Sequence, residues 1–381
     1  MPTLELPDRS IRLDRYPLRQ NELLQPWDAA DQYLLTHLRE GETGAPESLL
    51  LVHDSFGALG TALYADRPTF WNDSHLSRLA LEHNLALNGL DSGNITFVTG
   101  DQTPTGSFDL ALMKFPKSLD LFEDFLRRLR PCLHPGSRLV AGGMIKHTSA
   151  RDYRLLENII GPVRTSRGWK KARLAFCEFD PGLAPPEVAA DHEIHLEDFG
   201  WTLTSRAGVF SSDHLDLGTR LLLKHLPAGD QPLRIVDLGC GNGILALVLA
   251  RLFPNASVRG LDESYQAVAS ARDNIDRAGL AGRDLTFAVA DGLLEYGPGS
   301  VDLVVCNPPF HQGRVTGDNL AWRMFEQARQ ALRTGGELLV VGNRHLGYHG
   351  KLKRLFGHCE VLGSDPKFVV LRATRSGPRQ R

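Results

Sequence analysis

LRIVDLGCGNGIL, residues 233–245, is an apolar run, a turn with three glycines, and the start of a second apolar run. The run before the turn is β-branched and has no polar alternation, as expected of a strand buried on both faces. ILALVLARLF (244–253) after the turn reads as a helix. Outward from it come SVRGLDE, a helical stretch from about Ser264 to Ala278, LTFAVAD and VDLVVC. Strand and helix in alternation predict a parallel sheet covered on both faces.

The same series occurs earlier in the chain. SLLLVHDSFGALG (from Ser48) parallels LRIVDLGCGNGIL, and FWNDSHLSRLALEHNLALNGL (from Phe70) parallels VRGLDESYQAVASARDNIDRAGL (from Val258). NITFVTGD ending at Asp101 parallels DLTFAVAD ending at Asp291. FDLALMKFPKS (from Phe108) parallels VDLVVCNPPFH, and LHPGSRLVAGG (from Leu133) parallels LRTGGELLVVG (from Leu332). Five matches in one order, with slowly widening offsets, predict two copies of one α/β domain. EFDPGLAPPEVAADHEI (178–194) reads as the linker, dividing the chain into 1–185 and 186–381.

The second copy carries groups that can hold a ligand. Gly239, Gly241 and Gly243 allow a sharp turn and leave room for a ligand against the backbone. Their spacing is GxGxG, not the GxGxxG that seats a pyrophosphate on a helix N-terminus, so a ligand without phosphate fits better. Asp262 ends the next strand, where a carboxylate accepts ribose hydroxyls. Asp291 ends the one after, within reach of an adenine amino group. With Asp237 and Asn242, these residues resemble the S-adenosylmethionine site of class I, Rossmann-like methyltransferases.

Asn307-Pro308-Pro309-Phe310 closes the fourth strand. Two prolines stiffen the turn, so the Asn307 amide oxygen and the Pro308 carbonyl can stand side by side as acceptors. An amino group conjugated to a ring is a poor nucleophile because its lone pair is delocalised. Two acceptors aimed at its hydrogens favour a pyramidal nitrogen with a free lone pair, and Phe310 offers a face on which a planar substrate stacks. The first copy has His53-Asp54-Ser55-Phe56-Gly57 in place of the glycine turn and Lys114-Phe115-Pro116-Lys117 in place of Asn-Pro-Pro-Phe. It is therefore expected to be non-catalytic.

Along nearly its whole length the chain resembles the bacterial ribosomal RNA guanine-N2 methyltransferases of the RsmC/RlmG type, and within them the large-subunit branch. The resemblance rests on QPWDAADQYLL (25–35), GWKKARL (168–174), VFSSDHLDLGTR (209–220), CNPPFHQ (306–312), DNLAWRMFEQARQAL and GNRHLGYHGKLKRLFG. It implies two tandem methyltransferase domains, the second active, and N2-methylation of one guanine in 23S rRNA, nucleotide 1835 in the family's usual numbering. It further implies that Asp237, Gly239, Gly241, Asn242, Gly243, Asp262 and Asp291 hold S-adenosylmethionine and that Phe210-Ser211 closes over its methionine end. Asn307, Pro308, Pro309 and Phe310 would hold guanine for direct in-line transfer without a metal.

Composition bounds the partners. The 381 residues carry 43 basic and 45 acidic side chains, a net charge of −2 that excludes a uniformly basic RNA binder. Two segments depart from that balance. RTSRGWKKAR contains Arg164, Arg167, Lys170, Lys171 and Arg173 and no acid. Residues 345–381 hold eight basic residues, Lys351, Lys353 and Arg354 among them, against Glu360 and Asp365. Both are candidate phosphate contacts. No run approaches the roughly 20 apolar residues of a membrane span, and no basic-then-apolar leader opens the chain. Five cysteines without a CxxC predict reduced core thiols in a cytoplasmic protein rather than a disulfide framework or zinc site; a monomer is expected separately, not from the cysteines. Other readings of the same motifs are a methyltransferase on another planar amine (16S rRNA guanine, adenine or a protein glutamine amide) and a non-enzymatic RNA-binding assembly factor. Mapping of the modified base separates the first; an intact glycine turn and Asn307 oppose the second.

Overall fold

The computed structural model describes residues 2–40, 46–187, 192–211, 214–309 and 314–377, and the side chains of 314–318 are outside that description. The chain divides into two compact units, Met1–Ala190 and Asp191–Arg381. Each contains a seven-stranded sheet. Numbering strands within each sheet from the amino end, both have the order 3-2-1-4-5-7-6. Strands 1 to 5 run parallel and strand 7 is inserted antiparallel beside strand 5. Both units thus carry the same Rossmann-like methyltransferase sheet.

In the second unit, strands Arg234–Leu238, Ser257–Asp262, Leu285–Val289 and Val301–Cys306 end at one edge. Helix Ile244–Leu252 is buried along Ile244 to Ala250, which explains the unbroken apolar run over those residues. Two apolar layers result. Ile235, Val258, Val305 and Leu339 face helices Ile244–Leu252 and Tyr265–Arg277, whereas Val236, Val304 and Val340 face Phe325, Tyr348 and Leu352.

The two copies agree in details the sequence alone did not reveal. Each sheet is preceded by a small antiparallel hairpin, Thr3–Glu5 with Ser10–Arg12 and His192–Leu196 with Trp201–Ser205. One buried asparagine ties each hairpin segment to the first turn. Asn84 exchanges hydrogen bonds with the Asp14 backbone and donates to the Phe56 carbonyl. Asn274 does the same with the Thr204 backbone and the Asn242 carbonyl. A buried amide with every bond made to backbone fixes position strongly.

The register also refines the alignment. Ser74 and Ser264 cap equivalent helices, so Asn72 stands opposite Asp262. The carboxylate suited to a ribose is therefore an amide in the first copy, and its Nδ2 donates to the Asp54 carbonyl, 2.9 Å away.

Candidate functional site

The glycine turn lies between strand Arg234–Leu238 and helix Ile244–Leu252, with Gly239, Gly241 and Gly243 all at positive φ. The three glycines do different things. A Cβ on Gly241 would meet nothing within 4 Å, whereas one on Gly243 would lie 2.9 Å from both Ala271 Cβ and the Phe287 ring. Gly243 thus faces inward and lets the helix approach its neighbours. Gly243→Ala should cost about 1–3 kcal/mol of stability, read as a lower urea midpoint at unchanged slope. A variant as stable as the parent would contradict this packing. Asn242 also serves the fold: its Nδ2 donates to Ser205 Oγ at 2.8 Å and its carbonyl accepts from Asn274.

Four of the turn's amides are used internally. Gly239 and Cys240 donate to the Leu261 carbonyl, Gly243 to the Cys240 carbonyl, and Gly241 to Asp262 Oδ2 at 2.9 Å. This is no amide nest for a phosphate. The turn is faced by carboxylates instead. Asp237 is fully buried; its Oδ2 accepts from the Ala246 amide at 3.0 Å, and its Oδ1 is buried with no hydrogen-bond donor among the described residues. Burial pushes its carboxyl up to about 7, against the Ala246 hydrogen bond and with help from the charge of Asp262. Burial raises Asp262 as well, opposed by the Ser264 and Gly241 amides. An acid-lined turn with these four amides already occupied suits a cationic ligand that has no phosphate.

Asp291 ends the third strand region, where both its oxygens accept from the Arg323 guanidinium, a bidentate pair at 2.5 Å. Arg323 was not foreseen. It comes from a helix 32 residues further along, and no local spacing connects them. An adenine amino group would have to share Asp291 with it.

Asn307 follows strand Val301–Cys306. Its Nδ2 donates to Thr219 Oγ1 at 2.8 Å and to Asp216 Oδ2 at 3.2 Å, and its Oδ1 is buried without a partner among the described residues. A carboxylate can only accept, which fixes the amide orientation and leaves the oxygen as the free end. Pro308 is buried and Pro309 half-buried, while Phe310 lies outside the described residues. Phe210 is 55% exposed and Ser211 has a left-handed backbone. Cys240 and Cys306 flank the site, but burial holds both thiols well above their ordinary range. Thiolate nucleophiles are thereby disfavoured.

In the first copy, Val52 pairs with Met113 as Leu238 pairs with Cys306, which places Lys114 at the position of Asn307. Lys114 Nζ is bound by Asp28 at 2.7 Å and Asp31 at 2.8 Å. Burial works against its charge, and the two carboxylates more than offset this, leaving its pKa raised. An ammonium offers donors only, so this position cannot accept from an amine. His53 occupies the place of Gly239, keeping the left-handed φ of 61° and the hydrogen bond to the neighbouring strand. Its imidazole stands where the second copy has no side chain.

The basic segments are placed unequally. Lys170 and Lys171 form the tip of a two-residue hairpin in which Trp169 and Ala172 exchange hydrogen bonds at 2.9 and 2.8 Å. Arg167 is exposed, Arg164 meets Glu178 at 3.2 Å, and Arg173 is half-buried. On helix Tyr348–Phe356, Lys353 and Arg354 are exposed, Lys351 lies over Tyr348, and Arg354 over Trp322. Arg372 is bound by Glu360, and Arg379 and Arg381 lie outside the described residues. Among the described residues, no cluster of three or more His, Cys, Asp or Glu could hold a metal, and no helix is long and apolar enough to cross a membrane.

Residues 1–181 match the RLMG N-terminal domain and residues 200–372 the methyltransferase small domain. The chain is 50% identical over 382 residues to the ribosomal RNA large subunit methyltransferase G of Ectopseudomonas mendocina, spanning 98% of this chain and 100% of that one. It is 47% identical to the protein of the same name from Streptomyces avermitilis, over 95% and 96% of the two chains. Its fold is similar to that of the T. thermophilus 16S rRNA N2 G1207 methyltransferase, solved with AdoMet and guanosine. That likeness has a TM-score of 0.77 at 22% identity and covers 98% of this chain and 97% of that one. With both domain matches in order and half the residues shared from end to end, the chain belongs to the ribosomal RNA large subunit methyltransferase G family.

Proposed function

We propose that this protein methylates the exocyclic N2 of one guanine in 23S rRNA, the family's nucleotide 1835, using S-adenosylmethionine. The observation that carries the reading is Asn307 Oδ1, a buried acceptor with no donor among the described residues, beside a turn suited to a cation. The donor, when bound, supplies an electrophilic methyl on a sulfonium. Asp262 and Asp237 hold its ribose and cationic end, and Gly241 leaves the open space against which it lies. Asn307 Oδ1, with the Pro308 carbonyl, accepts the hydrogens of the guanine amine. Positive charge develops on that nitrogen as it attacks, so the acceptor bond strengthens in the transition state and acts on rate rather than on binding. The guanine must leave its stack to reach this pocket. The monomer acts in the cytoplasm, and the first copy supports the second and adds RNA-contacting surface.

Labelled methyl transfer to protein-depleted large-subunit rRNA and to assembled subunits, followed by mapping of the base, tests the reading. Modification of a different base or a protein amide would overturn it.

The Lys170-Lys171 tip is a second support. Both residues have positive φ, 46° and 66°, a conformation hairpins normally give to Asn-Gly. Holding lysines there costs on the order of 1–3 kcal/mol per residue, a strain that keeps two exposed cations at one tip, the Lys170 ammonium 4.4 Å from the centre of the Trp169 ring. Alanine at Lys170, Lys171 and Arg173 together should weaken RNA binding and lower the salt dependence by about one unit of slope per lost phosphate contact. An unchanged salt series would remove this surface from the account.

A further inference from the structure

We propose that Asp216 and Thr219 are positioning residues that fix the acceptor face of Asn307, an inference that rests on the reading of Asn307 above. The clamp is built at the amino end of helix Leu217–Leu223. Asp216 Oδ2 accepts from the Thr219 amide at 2.8 Å and from Thr219 Oγ1 at 3.3 Å. Thr219 Oγ1, its proton so committed, presents a lone pair to Asn307 Nδ2 at 2.8 Å, and Asp216 Oδ2 lies 3.2 Å from the same nitrogen. A free asparagine amide can rotate by half a turn and present NH2 instead of oxygen. Here the rotated form would aim an oxygen at a carboxylate and leave two donors facing a substrate amine. The clamp thus selects the one orientation that accepts.

The first copy supports this independently. Asp28 Oδ1 accepts from the backbone amides of Ala30 and Asp31 at the start of helix Ala29–Glu40, as Asp216 does at its own helix. Its partner three residues on is Asp31, where the second copy has Thr219. Asp28 and Asp31 both grip Lys114, which holds the place of Asn307. The duplication has therefore kept a helix-start pair facing the end of strand 4 and varied its chemistry with the residue it grips. Two carboxylates suit an ammonium; one carboxylate and one hydroxyl suit an amide NH2. Pairing QPWDAADQYLL (25–35) with DHLDLGTRLLL (213–223) in the sequence was the signal that could have found it.

The full-length protein tests the clamp, with labelled methyl transfer to large-subunit rRNA, binding of S-adenosylhomocysteine and thermal melting measured in parallel. Thr219→Val, which keeps shape and loses the hydroxyl, should lower kcat by about tenfold or more while the RNA KM, cofactor-product affinity and melting temperature stay near the parent's. Thr219→Ser should restore most of the rate. Equal loss in the valine and serine variants, or none in valine, overturns the clamp. A second arm does not depend on Thr219. Asn307→Asp alone places two carboxylates in contact, and one can then keep a proton only as pH falls. Its residual activity should rise toward low pH. Adding Asp216→Asn should restore a donor–acceptor pair and flatten that profile, and failure of the double variant to recover activity also overturns the clamp. If Asn307→Ala transfers methyl normally, the reading of Asn307 itself has failed, a result distinct from any of these.

Discussion

Asn307→Ala should reduce kcat for methyl transfer by about 10²–10³-fold, the usual cost of removing one preorganised hydrogen-bond partner from a charge-developing centre. Affinity for the methyl donor and for RNA should change little. The structure gives the reason for that division. The Asn307 oxygen is buried and has no partner among the described residues, so it has been desolvated in advance, and its reward comes only when an amine hydrogen arrives. The exocyclic amine of guanine is a weak base in the ground state, and its hydrogens become strong donors as positive charge grows on nitrogen. The interaction is therefore worth most at the transition state, and its loss falls on kcat. Removing the side chain also strands Thr219 Oγ1 and Asp216 Oδ2 without the NH2 they hold. Some of the effect will therefore be read as a small stability loss, measurable by melting. A variant that transfers methyl at the parent's rate would remove Asn307 from catalysis. One that instead raises the RNA KM with unaltered kcat would make it a binding residue.

Much of the fold was legible because buried parallel strands carry a strong local signature. LRIVDLG, SVRGLDE, LTFAVAD and VDLVVC each became a strand, and ILALVLARLF became a helix. What stayed hidden was non-local. Nothing in a window around Asp291 points to Arg323, because the pair is made by a helix folding back on the sheet. Asn84 and Asn274 look like ordinary helix residues, yet each satisfies three backbone groups of distant segments. The hairpins that open each unit are too short and too polar to stand out. The glycine turn was legible as a turn but not in its division of labour, since only the packed helix shows that Gly243 faces Ala271 and Phe287 while Gly241 faces open space.

Asp237→Asn should make the protein more stable and less able to bind its methyl donor. Burial pushes the carboxyl up from the ordinary 3.8 to about 7 in the fold. A carboxyl raised in this way means that between those two values the folded chain binds more protons than the unfolded one. Stability then falls as pH rises through that window, and it stays lowered above it. At about 1.4 kcal/mol per pKa unit, the ionised group costs the fold on the order of 2–4 kcal/mol at pH 8. Asparagine keeps an oxygen for the Ala246 amide and carries no charge. The variant should therefore melt higher than the parent at pH 8, with the gap closing as pH drops toward 4. Such a cost is retained where it serves a ligand. A cation brought beside Asp237 Oδ1 would stabilise the ionised form and restore a partner to an oxygen that has none. Donor affinity of the parent should accordingly weaken below about pH 7, while that of the variant should be at least tenfold lower at pH 8 and nearly independent of pH. Adding S-adenosylmethionine should raise the parent's melting temperature much more than the variant's. If the variant binds the donor as tightly as the parent with the same pH slope, Asp237 is a structural cap for helix Ile244–Leu252 and not a ligand group. If its stability shows no pH-dependent gain, the buried carboxyl is not under the strain its surroundings imply.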